Sequence, residues 1–112
     1  MTPAEIIWSG GEHPFLLRLG ELRILEQKCD VGAYWVLYRL MSNQWYVNDV
    51  IETIRLGLIG GGMDHIKARD MTQSSIERSS LAECAVVAQA ILSYSIHGDE
   101  SQEGKQKAKD QN

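Results

Sequence analysis

The chain is 112 residues long, 44% hydrophobic and 23% charged, with a net charge of −4; that gives room for one domain and a single modest core. This composition excludes a wholly disordered chain. The weakly acidic balance lacks the cationic footprint that nucleic-acid backbones require.

"EIIW" and "HPFLLRL" are β-compatible runs separated by Ser9-Gly10-Gly11-Glu12, which reads as a hairpin. In the second run Phe15, Leu17 and Leu19 alternate with Leu16 and Arg18 and give one apolar face. Pro14 has no N–H and belongs at the start or edge of that strand. A lone hairpin is not stable in water, so this face must rest on helices.

Gly20 breaks the pattern, and "ELRILEQKC" carries Leu22, Leu25 and Cys29 at helical spacing. After Asp30-Val31-Gly32 comes "AYWVLYRLM", apolar around most of its circumference, which predicts a central helix with Trp35 in the core. The next helix opens near Asn48 or Asp49, where Asp49 and Glu52 have capping-box spacing. Its buried stripe is Val47, Val50 or Ile51, Ile54 and Leu58, with Arg55 outside it. Gly57 in its interior costs about 1 kcal/mol relative to alanine, which points to a close backbone approach or a bend.

Asp64 is a cap for "HIKARDMTQSSIERS", a weakly amphipathic helix with Ile66, Ala68, Met71 and Ile76 as its apolar points. Ser80 to Glu83 is a capping box opening a last helix through Ile96, and Gly98 stops it. The fold class expected is mainly α with a small β-hairpin (α+β): an N-terminal two-stranded hairpin packed on a bundle of four to five short helices. One domain is expected over 1–98. The segment 99–112, three lysines against four acids with no large apolar residue, reads as a disordered tail.

The Gly60-Gly61-Gly62 run is the one stretch that suggests a nucleotide loop. A phosphate-binding loop would need Lys and Ser/Thr next, and Met63 and Asp64 stand there. The dinucleotide pattern needs a preceding strand, and here a helix precedes. The glycines therefore read as a hinge between helices. His13, His65 and His97 lack paired ligand spacing, no serine sits in a nucleophile elbow, and neither Cys29 nor Cys84 lies at a helix start that would activate it. No catalytic site, metal site or cofactor is expected. The two cysteines read as free thiols in a reducing compartment. No apolar run spans a bilayer and no signal pattern opens the chain, which points to the cytoplasm.

Two segments carry a resemblance. "GGEHPFLLRLGELRILEQ", through Gly11, Glu12, Phe15, Leu17 to Leu22 and Leu25, is similar to one hallmark of a family from gene transfer agent and prophage tail clusters. "VNDVIETIRLGLIGGGM", through Asp49, Val50 and Glu52 to Met63 with Trp45 just ahead, resembles the other. The similarity spans roughly residues 9 to 97 and departs from the family at Met71-Thr72 and Ser80. That family is grouped with phage tail-assembly chaperones and has also been described as tail tube-associated.

The resemblance implies a bacterial tail-assembly protein, with the tape-measure protein and the tail tube protein as partners, bound through apolar helical surface. A permanent tail tube subunit, associated with the particle, is the alternative. A small nucleic-acid-binding regulator is a further one that the charge disfavours. Trp8, Trp45, Arg55, Gly57 and Met63 are the interface residues expected, and oligomeric state is left open.

Overall fold

A computed structural model describes residues 1–98; the expected tail, 99–112, lies outside the described residues. Strands β1 (Ala4–Trp8) and β2 (Gly11–Phe15) pair antiparallel, Ala4 opposite Phe15 and Trp8 opposite Gly11, around a Ser9-Gly10 turn. Five helices follow: α1 (Leu19–Cys29), α2 (Ala33–Met41), α3 (Val47–Gly60), α4 (His65–Arg78) and α5 (Leu81–His97). The α+β class with an N-terminal hairpin is the one expected.

The second strand is shorter than its alternation suggested, and it stops at Phe15. Past that point the backbone turns its donors toward helices. Leu16 donates to the Gly57 carbonyl at 3.1 Å, and Leu17 donates to Ser95 Oγ at 2.9 Å. Leu16 and Leu17 are therefore both buried, while Leu19 is exposed and opens α1. Gly20 lies inside that first turn. Asp30 ends α1 in the left-handed conformation at φ 58°, and its N–H reaches the Glu26 carbonyl.

The central helix is α3, not α2. It packs on α5, α1, α4 and β2, and buries Val50, Ile54, Leu56 and Leu58 together with Asp49 and Thr53. Its cap also differs from the expectation. Tyr46 is the N-cap residue, and Asp49, in the first turn, accepts the Tyr46 N–H at 2.8 Å. Glu52 instead takes Arg55, with both oxygens engaged at 2.9 Å.

The glycines of α3 are contact points for the hairpin. A methyl group on Gly57 would meet Ile91 Cγ2 at 2.9 Å and Phe15 Cδ1 at 3.1 Å. On Gly60 it would strike the Leu16 carbonyl, and on Gly61 the Pro14 carbonyl. Both obstacles are backbone and cannot swing aside. Gly62, at φ 114°, then reverses the chain toward α4.

Asp64 caps α4 as expected, accepting from Ile66 N and Lys67 N at 3.1 and 3.2 Å. The buried side of α4 is Ala68, Thr72 and Ser75, so it brings little apolar area to α3. Thr72 satisfies its hydroxyl within its own helix, on the Ala68 carbonyl at 2.7 Å. At its far end Ser79 Oγ donates to Ser9 Oγ on the hairpin turn at 3.3 Å. Helix α5 opens on Ser80, whose hydroxyl accepts from Glu83 N, and ends at Gly98 with φ 66°. Ala85, Ala88, Ile91 and Leu92 form its buried side.

Candidate protein-interaction face

Helix α2 turns Val36, Leu37 and Leu40 into the core, aliphatic residues spaced to share one side of a helix. Tyr34, Trp35, Tyr38 and Met41 lie outside, 61, 53, 47 and 57% exposed. Trp35 was expected in the core. The nine-residue α2 covers α5 and α1 on one side only, so its remaining arc faces solvent.

The exposed rings are held in order. Trp35 stacks on Tyr38 with centroids 4.9 Å apart and planes 16° from parallel. Tyr34 meets His97 of α5 edge-on at 6.1 Å. One turn on from Trp35, Arg39 sends its guanidinium over the Tyr46 ring, 4.7 Å from the centroid. Tyr46 and Val47, at the start of α3, are themselves exposed. With aromatic side chains burying ~150–250 Å² each when fully covered, this face leaves on the order of 700 Å² of largely apolar surface open.

The face rests on an ion pair inside the fold. Arg39 Nε and Nη2 donate to the two oxygens of Asp49 at 2.9 and 2.6 Å, and Asp49 is fully buried. The hydrogen bond to Asp49 pushes the Arg39 pKa above its ordinary value, against the opposing effect of burial. The same carboxylate lies near Cys29. Burial first, and the Asp49 charge second, push the Cys29 thiol from 9.0 up to about 12. At pH 8 iodoacetamide should therefore modify Cys29 about a thousandfold more slowly than an ordinary thiol, as the three-unit shift removes thiolate. Asp49→Asn should speed it, and a rate equal to that of free cysteine would refute the shift. The stabilisation this thiol supplies is present below pH 9 and lost as pH rises toward 12.

The expected interface residues do not gather. Trp8 is buried in the hairpin, donating Nε1–H to His13 Nδ1 at 2.9 Å and meeting Phe15 edge-on. Gly57 is buried under Ile91 and Phe15. Trp45 and Met63 are half-buried against the core, and Arg55 is paired with Glu52. The aromatic side of α2 was read as core because its apolar residues surround the helix. A signal was present in the division between Val-Leu-Leu on one arc and Tyr-Trp-Tyr on the other, since amphipathic rings suit half-wet positions.

The corner at Gly60, Gly61 and Gly62 borders a shallow notch of about 390 Å³ lined by Pro14, Leu58, Met63, Asp64 and Lys67. An anion at a helix start uses the free N–H groups of its first turn. Here the Asp64 carboxylate already takes two of them. Among the described residues no cluster of three or more His, Cys, Asp or Glu could hold a metal ion, and no helix is long and apolar enough to cross a membrane.

A family model described as "Phage tail tube protein, GTA-gp10" matches residues 2–98. No curated protein and no solved structure matches the chain.

Proposed function

Because the chain belongs to the phage tail family described as "Phage tail tube protein, GTA-gp10", we propose that it is a tail-assembly chaperone of a gene transfer agent or prophage. On this reading it holds the tape-measure protein, and engages tail tube subunits, through the aromatic face of α2 until the tail assembles. The observation that carries the proposal is the ordered set Tyr34, Trp35, Tyr38 and Tyr46, exposed on one side of a folded domain, with the largely buried Arg39 laid over the Tyr46 ring. Trp, Tyr and Arg are the residues that dominate binding energy at protein interfaces.

The tail tube description of the family favours a second reading, a subunit that stays in the tube. A tube subunit needs separate contacts for neighbours beside, above and below it. In this chain the exposed aromatics share one face, whereas the exposed aliphatics are spread out, with Ile7 on β1, Leu19 and Ile24 on α1, Val47 on α3, Ile66 on α4 and Val86 on α5. One face suits one client at a time. Purified particles separate the readings, since a chaperone is absent from them and a tube subunit is present.

Co-expression with the neighbouring tape-measure and tube proteins, followed by pull-down, tests the binding. Trp35→Ala with Tyr38→Ala should reduce capture at least tenfold, as expected for hot-spot rings. Both side chains are about half exposed, so the thermal midpoint should move by no more than a few degrees. Undiminished capture by the double variant would remove this face from the function.

A further inference from the structure

The aromatic face poses a problem when no client is present. Contiguous apolar patches above a few hundred Å² are uncommon on monomeric proteins in water. We infer that in the free protein this face is covered by a second copy of the same chain, packed α2 against α2 about a two-fold axis. The inference rests on the reading above, in which the same face later receives a client.

Two features of the face fit a second copy. The first is area. An open surface on the order of 700 Å² is close to the ~800 Å² per partner that a standard stable interface covers. The second is charge. Two-fold packing brings each residue near its own equivalent, so an unpaired charge on the face would meet itself. Arg39 is the only charged residue of α2, and its guanidinium is already neutralised by the buried Asp49 of its own chain. Pairing the faces therefore buries aromatic surface without setting two free cations together. The flat Trp35–Tyr38 stack and the unbranched Met41 are shapes that pack against copies of themselves.

A client that takes the same face must then separate the pair, which makes the free protein a reserve held out of contact with other apolar chains. Light scattering coupled to size exclusion, on the full chain from low micromolar to several hundred micromolar, tests the inference. A dimer at the upper concentrations is expected. Each substitution in a two-fold interface counts twice, so a change worth ~30-fold per site should weaken the dimer about a thousandfold. Trp35→Glu should thus yield a monomer at every concentration, with an unchanged helical circular dichroism spectrum because the ring is half exposed. Ile66→Glu on α4, exposed and on a helix that packs on α3, should leave the dimer intact.

A wild-type monomer at several hundred micromolar would overturn the inference, as would a dimer that Trp35→Glu leaves unchanged. The failure is separable from that of the chaperone reading. A monomer whose client capture depends on Trp35 and Tyr38 rejects self-pairing alone, and a Trp35-dependent dimer that captures no tail protein rejects the chaperone reading alone.

Discussion

Gly60→Ala is expected to destabilise the protein by about 3 kcal/mol, at the upper end for overpacking a filled site. The added methyl would land on the Leu16 carbonyl, a backbone atom fixed because the Leu16 N–H is bonded to Gly57. Local preference points the other way. Gly60 closes a helix, and alanine is favoured over glycine in a helix by about 1 kcal/mol. The sign of the result therefore decides between two accounts of the corner. Urea unfolding should show the midpoint falling by roughly 2 M, taking a slope near the lower end of the usual range. Gly61→Ala should behave alike, against the Pro14 carbonyl. Gly62→Ala meets no atom and should cost only the ~1–3 kcal/mol of its left-handed backbone. A stabilised Gly60→Ala protein would mean that these glycines serve as a pliant corner and not as a seat for the hairpin.

Asp49→Ala is expected to cost about 3 kcal/mol, the lower end for breaking a buried ion pair, since Arg39 keeps some access to water. The loss has two sources. The Arg39 guanidinium loses both of its acceptors, and the Tyr46 N–H at the start of α3 loses its own. Arg39→Met should be equally severe, as it leaves a fully buried carboxylate unpaired. The double variant Arg39→Met with Asp49→Leu should recover much of the stability, because replacing both partners by apolar groups removes the unpaired charge. Chemical denaturation of these variants, with Asp49→Leu alone added to close the double-mutant cycle, measures the coupling. If the single variants cost less than 1 kcal/mol, the pair is not what fastens α2 to α3.

Much of the architecture could be read from local pattern. The bounds of α2, the Asp64 and Ser80 caps and the Gly98 stop all depend on residues within one turn of each other. What local pattern missed depended on distant partners. The second strand was drawn too long because nothing near Leu16 and Leu17 shows that their N–H groups go to Gly57 and Ser95. Asp49 was assigned to a cap, although its stronger partner, Arg39, lies on another helix. Trp35 was placed in the core because an apolar circumference does not say which arc the neighbours will cover. The glycines of α3 were recognised as special, and Gly57 was linked to close approach. That the hairpin backbone sits on Gly60 and Gly61 required the tertiary structure.

The hydrogen bond from Leu17 N to Ser95 Oγ joins residues 78 positions apart, and it has a consequence for synthesis on the ribosome. The hairpin is made first, yet the groups that receive its last strand, on α3 and α5, are made after it. Leu16 and Leu17 must therefore lack these partners until nearly the whole described chain has emerged, a long-range closure that slows folding and lengthens exposure to aggregation. A nascent chain of this protein therefore carries an unfinished sheet edge until its last helix is made.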